Sequence, residues 1–167
     1  MIPEIQSAAA TMEQPLGVAL PRAERSRKIR TVLLATDLSP VSERATEQAI
    51  ELAASLGARL LVVNVIDFGE RGHSTSLRLT ARVDQQRAER EVPLLQIVER
   101  ARARGLEAAY LLWTGEAGQG IVAAAEAEGA DLVIVGTRGL DRAGRFLLGS
   151  VSDYVVYHAA CPVMVAR

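Results

Sequence analysis

Short apolar runs alternate with longer segments of helical period along most of this chain. The runs lack the polar-apolar alternation of a half-exposed strand, so they predict strands that are buried on both faces. They lie at Thr31–Thr36, Arg59–Ile66, Leu106–Trp113, Asp131–Gly136 and Pro162–Ala166. The periodic segments between them predict helices at Pro40–Leu56, Thr80–Arg104, Ala117–Glu128 and Val151–His158. Helical crossovers between buried strands imply a parallel sheet with helices on both faces, a three-layer α/β/α sandwich that is doubly wound and Rossmann-like.

The first two helices carry specific boundary signals. Ser39 is expected to cap the first helix, with Pro40 at its first position and Val41 on its apolar face. The segment Phe68–Leu79 shows no period and predicts a loop before the second helix. Pro93 falls inside that helix and removes a backbone donor, which predicts either a kink there or a later helix start.

The N-terminal segment differs from the rest of the chain. Residues 1–28 show no sustained period, so we expect a flexible tail followed by a domain at 29–167; the alternative is that part of the tail packs as a short helix. Apolar residues make up 49% and charged residues 23%, which is typical of a globular domain. Residues 1–28 also lack a secretory signal pattern, and no apolar run in the chain is long enough to approach a membrane span. We therefore expect a soluble cytoplasmic protein.

The net charge argues against two classes of partner. It is −1, from 19 basic and 20 acidic side chains, so no global field draws the protein to nucleic acid or to an anionic membrane. Aromatic residues are 4% of the chain, too few for a base-stacking surface. Any bound anion must therefore be held by a local site.

The loops after the first and fourth strands are the expected place for a ligand. Open parallel sheets bind ligands at the carboxyl ends of their strands, where the winding reverses. The first of these loops begins with Asp37 and Ser39, and the second contains glycines at positions 136, 139 and 149, followed by Ser150. These glycines permit a positive φ and a close approach of the backbone to a ligand.

The second loop has the chemistry of an anion site. The fourth helix is predicted to begin at Gly149-Ser150, where free amides and the Ser150 hydroxyl would face an anion. Three arginines against one aspartate give the stretch a local charge of +2: Arg138, Arg142, Arg145 and Asp141. A polyphosphate fits this arrangement. The alternative is that the arginines form only a solvated rim.

The spacing G-x2-G-x9-G-S resembles the ATP-binding signature of the universal stress protein family. The resemblance runs from Ile29 to Arg167 and includes DLSPVS at 37–42, NVID at 64–67, ADLVIVGTRG at 130–139 and CPVMV at 161–165. It implies the adenine nucleotide alpha hydrolase-like fold, with a five-stranded parallel sheet of order 3-2-1-4-5. It also implies a homodimer in which the C-terminal strands of two subunits meet antiparallel.

The resemblance further implies an ATP site. The residues that it assigns to the ribose and phosphates are Gly136, Gly139, Gly149, Ser150 and Val151, to which we add Arg138 for its charge. It places the backbone of Val65 against the adenine, and Asp37 beside the ribose or a phosphate-bound metal ion, which favours Mg²⁺. The alternative for Asp37 is that its side chain caps the first helix.

The sequence contains few candidate catalytic residues. His73 has no neighbouring acid or nucleophile, and His158 lies on the predicted apolar stripe of the last helix, where we expect a structural role. Cys161, which as a lone cysteine excludes an intramolecular disulfide, is expected to be a buried structural thiol. The sequence has no G-x-S-x-G or Walker motif, and its one lysine, Lys28, precedes the first strand.

These observations favour a binding protein over an enzyme. We expect ATP to act as a conformational ligand that alters a surface recognised by an unidentified protein partner in a stress response or in signalling. The alternatives are a nucleotide-free structural or chaperone-like dimer, against which the glycine signature argues, and a slow ATPase that uses a bound metal and water.

Overall fold

A five-stranded parallel sheet forms the centre of the structure, a computed structural model that describes residues 28–67, 76–137 and 149–166, with the backbone alone at 76–79. The strands are β1 (Thr31–Ala35), β2 (Arg59–Ile66), β3 (Ala108–Thr114), β4 (Leu132–Gly136) and β5 (Val163–Ala166). Their order is β3-β2-β1-β4-β5, which confirms the expected topology. Because β1 lies between β2 and β4, the winding reverses at its carboxyl end.

Helices cover both faces of the sheet. They are α1 (Glu43–Leu56), α2 (Ser76–Ala103), α3 (Ala117–Ala127) and α4 (Ser150–His158). Alternate residues of β1 point to opposite faces, so Val32 and Leu34 pack with α1 and α2 while Leu33 packs with α3 and α4. All three side chains are fully buried, and the predicted three-layer sandwich is confirmed.

The start of α1 differs from the prediction. A short 3₁₀ turn, Pro40–Ser42, precedes the helix, which begins at Glu43. Ser39 occupies the capping position of the turn but makes no side-chain cap hydrogen bond. Val41 is 54% exposed and borders the cleft described below, because the 3₁₀ turn takes it off the apolar face of α1.

The second helix is longer than the sequence pattern indicates. It begins at Ser76 and continues through Pro93, so the predicted loop is too long and the alternative of a later start is wrong. The buried residues of its C-terminal half, Leu94, Ile97, Val98 and Ala101, all follow Pro93. None of the described side chains at 80–92 is fully buried. The first half therefore carries little of the apolar periodicity from which a helix is recognised.

Several predictions fall outside the described residues. These are the flexible tail, His73, and the arginine-rich part of the loop after β4, including Arg138 and Gly139. Among the residues that the structure describes, no helix is both long enough and apolar enough to span a membrane.

Candidate functional site

A cleft of about 710 Å³ opens at the carboxyl ends of β1, β2 and β4, where the winding of the sheet reverses. It is lined by five of the residues that the sequence singles out, namely Asp37, Val65, Gly136, Ser150 and Val151. Gly149 lies immediately before two of them, as the residue that precedes α4. The structure thus brings together the loops after β1 and β4, which lie about a hundred residues apart in sequence.

The loop after β1 is held in an unusual conformation. Leu38 has φ = 63°, in the left-handed region that a non-glycine residue enters at a cost of about 1–3 kcal/mol. Two local hydrogen bonds hold it there: the Leu38 amide donates to Thr36 Oγ1 at 3.1 Å, and the Ser39 amide donates to Asp37 Oδ1 at 3.0 Å. The Ser39 hydroxyl also donates to Asp37 Oδ1, at 2.6 Å. Asp37 therefore has a turn-forming role in addition to its place on the cleft wall.

A chain of hydroxyl groups supports this loop from below. The Ser42 hydroxyl donates to the Ser39 carbonyl oxygen at 2.8 Å. Since a hydroxyl has a single hydrogen, the 3.0 Å contact between Thr36 Oγ1 and Ser42 Oγ requires Thr36 to donate. Thr36 and Ser42 are both buried, so the loop is anchored to the core through satisfied polar groups.

The end of β2 presents backbone groups to the cleft. The Thr36 amide donates to the Val63 carbonyl oxygen at 3.0 Å, so the polar backbone groups of Val63 face β1. Val65 lies two residues further along and faces the same side, where β1 has already ended at Ala35. Its amide and carbonyl thus border the cleft. The side chain of Val65 packs against Gly120 of α3, where a Cβ would lie 3.0 Å from both Val65 methyl groups.

Two residues for which the sequence predicted no role hold this edge of the cleft. Asn64 is buried, and its Nδ2 donates to the Thr36 carbonyl oxygen at 2.8 Å. Its Oδ1 accepts from Arg90 Nη1 of α2 at 2.6 Å, and the same Nη1 donates to the Val65 carbonyl oxygen at 3.3 Å. Asn64 could have been recognised from the sequence, because it is a polar residue inside an apolar strand. Arg90 could not, because it is one of many charged residues in α2.

The glycines at the end of β4 and before α4 do not need a positive φ. Gly149 has φ = −65° and ψ = 151°, and Gly136 is outside the left-handed region, so that part of the prediction is wrong. A Cβ at Gly136 would lie 3.5 Å from Ala45 Cβ, an ordinary contact. What links these residues is Ser152, which sequence reasoning missed: its buried hydroxyl donates to the Gly136 carbonyl oxygen at 2.7 Å and ties α4 to β4.

Helices α3 and α4 both begin at the cleft, and their N-termini differ. At α3 the Glu116 carboxylate accepts from the Gly118 and Gln119 amides at 3.0 and 2.8 Å, which neutralises that helix end. At α4 the capping position is Gly149, which has no side chain, and none of the described residues supplies a side-chain cap to the first turn. The amides of this turn and the Ser150 hydroxyl are therefore the donors that face an anion in the cleft.

The described wall of the cleft is acidic. It contains the carboxylates of Asp37, Asp67 and Glu116 and one cation, Arg90. The described residues contain no cluster of three or more metal-ligating side chains. A Mg²⁺ ion here would accordingly be held by one or two carboxylates, the phosphates of a ligand and water, which is how proteins usually bind this ion.

The residues that the sequence set aside as structural lie outside the cleft wall. His158 is exposed rather than part of an apolar stripe; its Nδ1 donates to the Tyr154 carbonyl oxygen at 2.8 Å, and its ring stacks on that of Tyr154. Cys161 is half-buried, not fully buried as expected. Burial raises the pKa of its thiol, and the nearby charge of Asp131 raises that pKa further.

Comparison with known proteins identifies relatives of this fold and sequence. The sequence model of the universal stress protein family matches residues 28–167. A universal stress protein from Thermus aquaticus is 39% identical over 144 residues, which cover 83% of this chain and 98% of that protein.

Solved structures agree with this assignment. UspA from Lactobacillus plantarum has the same fold, with a TM-score of 0.73 at 23% identity over 85% of this chain and 100% of that chain. A universal stress protein solved in complex with cAMP gives a TM-score of 0.65 at 25% identity over 84% of this chain and 98% of that chain. From the family match and the sequence identity to the Thermus protein, the chain belongs to the universal stress protein family.

Proposed function

We propose that the cleft binds an adenine nucleotide, with ATP as the ligand and Mg²⁺ as its counterion. The observation that carries this proposal is the N-terminus of α4, which has no side-chain cap from the described residues and opens into the same cleft as the free end of β2. Helix amides at one end suit phosphates, and the backbone of Val65 at the other end suits a base edge. The volume of about 710 Å³ is within the range of small-molecule sites.

Two further points support a nucleotide. A relative that is 25% identical was solved with cAMP, so a homologous fold accepts an adenine nucleotide. In addition, the acidic wall would repel a bare triphosphate, whereas a Mg²⁺ ion between Asp37 and the phosphates would neutralise both. We assign the phosphates to Gly136, Gly139, Gly149, Ser150 and Val151, assisted by Arg138.

The nucleotide acts as a regulatory ligand in this proposal. It touches the loop after β1, the end of β2 and the first turn of α4, so its binding free energy favours one arrangement of these elements over others. A cytoplasmic protein partner that recognises α4 or the adjoining loop would then respond to nucleotide level. Slow hydrolysis by a bound metal and water remains the alternative.

We also propose that the chain forms a homodimer through β5. This strand lies at the edge of the sheet, and its Val163, Met164 and Val165 side chains are only half-buried. An apolar edge strand presents unpaired backbone groups unless another strand covers it. Tyr157 of α4, which is 86% exposed, adds apolar surface to the helix that precedes this edge.

Nucleotide release provides the first test. The purified protein is denatured and the released small molecules are chromatographed, after which the refolded, ligand-free protein is titrated calorimetrically with ATP with and without Mg²⁺. We expect an adenine nucleotide in the first experiment and Mg²⁺-dependent ATP binding in the second. If neither is observed, the nucleotide-free dimer becomes the better hypothesis.

A single charge tests the role of α4. Ser150→Asp places a carboxylate at the first residue of α4, where it favours the helix but repels phosphate. We expect unchanged or higher thermal stability and a loss of ATP affinity of about a hundredfold or more. The matched control is Gln96→Glu, which adds the same charge at an exposed site on α2 away from the cleft. Equal affinities for both variants would place the phosphates elsewhere.

A further inference from the structure

Arg90 has a position in the cleft that the proposed function leaves unexplained. It reaches from α2 to the end of β2, where its half-buried guanidinium lies on the cleft wall beside Val65. It is the cation of the described wall, yet it lies at the Val65 end rather than at the α4 end where phosphates are expected. It therefore lies next to the part of the ligand that would contact Val65.

The guanidinium is held in place by specific hydrogen bonds. Nη1 uses its two hydrogens on Asn64 Oδ1 at 2.6 Å and on the Val65 carbonyl oxygen at 3.3 Å. Nη2 donates to Gln86 Oε1 at 3.3 Å. Asn64 is itself fixed, because it is buried and its Nδ2 donates to the Thr36 carbonyl oxygen. Arg90 is thus oriented by groups from α2 and from the ends of β1 and β2.

Two donors of Arg90 are left over. A guanidinium carries five N–H groups, and the hydrogen bonds above use three of them. The Nε hydrogen and the second Nη2 hydrogen have no acceptor among the described residues. A carbonyl oxygen has two lone pairs, so Val65 also keeps the capacity to accept a second hydrogen bond. The same stretch of the cleft wall therefore carries the Val65 acceptor and a guanidinium that has donors left.

This pairing determines which bases fit. Adenine presents an amino donor at its 6-position, and guanine presents an oxo acceptor at the same position. The Val65 carbonyl accepts from a 6-amino group but makes no hydrogen bond to a 6-oxo group at the same position, because both are acceptors. A 6-oxo group needs a donor there, and the remaining N–H groups of Arg90 are the charged donors of the described wall.

We propose that Arg90 is a specificity-determining residue that extends the base subsite from 6-aminopurine to 6-oxopurine nucleotides. This inference rests on the proposed function, since it assumes that the base of a nucleotide lies against Val65. In this proposal the Asn64–Arg90 hydrogen bond holds the guanidinium beside the Val65 carbonyl in the absence of ligand.

The test compares ATP with ITP, whose hypoxanthine base carries a 6-oxo group and lacks the 2-amino group of guanine. Both nucleotides are titrated calorimetrically with Mg²⁺ into the parent protein, Arg90→Met and the control Arg87→Met. Arg87 is exposed on the same helix and outside the cleft lining, so the control removes the same charge without removing the donor. For Arg90→Met we expect ITP affinity to fall about ten- to a hundredfold, as for loss of a charged hydrogen bond, and ATP affinity to change less than about threefold.

A second variant guards against misfolding. Arg90→Met leaves the buried Asn64 Oδ1 without its donor, which lowers stability. Arg90→Gln retains an uncharged N–H donor, so its loss of ITP affinity should be smaller than that of Arg90→Met. Circular dichroism and thermal unfolding confirm that each variant is folded.

The outcomes separate this inference from the function on which it rests. If the parent binds ATP and Arg90→Met weakens ATP and ITP equally, Arg90 contacts phosphate and the inference is wrong. The inference also fails if ITP affinity is unaffected in both Arg90 variants, while the proposed nucleotide site stands. If the parent binds neither nucleotide, both proposals fail together.

Discussion

The packing of α3 against α4 depends on a glycine. At Gly118 an added Cβ would lie 2.7 Å from Tyr154 Cδ1, 2.8 Å from its Cγ and 3.0 Å from its Cβ. These atoms are at the root of the tyrosine side chain, so a rotation of the ring does not remove the overlap. Gly118→Ala therefore forces α4 away from α3, and with it the first turn of α4 that borders the cleft.

The expected loss of stability follows from two opposing effects. Overpacking a well-filled contact costs about 1–3 kcal/mol, and this overlap belongs in the upper part of that range because backbone must move. Alanine in place of glycine in a helix stabilises the folded state by up to about 1 kcal/mol. The net expectation is a decrease of about 1–2 kcal/mol in the free energy of unfolding.

Urea denaturation of four proteins tests this expectation. They are the parent, Gly118→Ala, Tyr154→Ala and the double variant. Tyr154→Ala removes the two closest atoms and leaves the Cβ contact at 3.0 Å, so in that background Gly118→Ala should cost clearly less than in the parent. The matched control is Gly136→Ala, whose Cβ would make an ordinary contact at 3.5 Å and should change stability by less than about 0.5 kcal/mol. A Gly118→Ala protein as stable as the parent, or equally destabilised in both backgrounds, would refute the reasoning.

Three further outcomes are expected. Ser150→Ala removes one hydroxyl donor to a charged ligand, so calorimetry should show a fall in ATP affinity of about ten- to a hundredfold; an unchanged affinity would remove Ser150 from the site. Asp37→Asn retains the oxygen that accepts from Ser39 but loses the charge, so MgATP affinity should fall about tenfold while Mg²⁺-free affinity does not; equal losses would assign Asp37 to the ribose. The raised pKa of the Cys161 thiol lowers its thiolate fraction, so alkylation at pH 8 should be slower in native protein than in denaturant; equal rates would contradict the effect of burial.

Much of the fold could be predicted from local sequence, because a strand that is buried on both faces consists mostly of apolar residues. β2 occupies the predicted residues Arg59–Ile66, since a strand between two others is buried on both faces and is mostly apolar along its length. Gly57 ends α1 in the left-handed conformation, as expected where a helix stops at glycine. The expectation of a ligand site between β1 and β4 also follows from the order of elements along the chain, because that order determines where a parallel sheet changes its winding.

The start of α2 shows where this approach fails. The prediction starts this helix at Thr80 and misses its first four residues, because the described side chains at 80–92 are not fully buried and leave little apolar period to mark where the helix begins. His158 shows the converse. Its spacing matches an apolar stripe, yet α4 is short and ends at this residue, so His158 is exposed and stacks on Tyr154 instead of packing in the core.

The details of the cleft wall come from tertiary structure alone. The sequence places Asn64 and Arg90 26 residues apart and contains nothing that links them, whereas the fold brings them into a 2.6 Å hydrogen bond. Ser152 reaches Gly136, and Gly118 accommodates Tyr154, only because α4 packs beside α3 over the end of β4. The apolar pattern of each element records how much of it is buried, and this is a local property. Which polar side chains meet at the end of the sheet depends on the relative positions of several elements, and no single segment of the sequence encodes those positions.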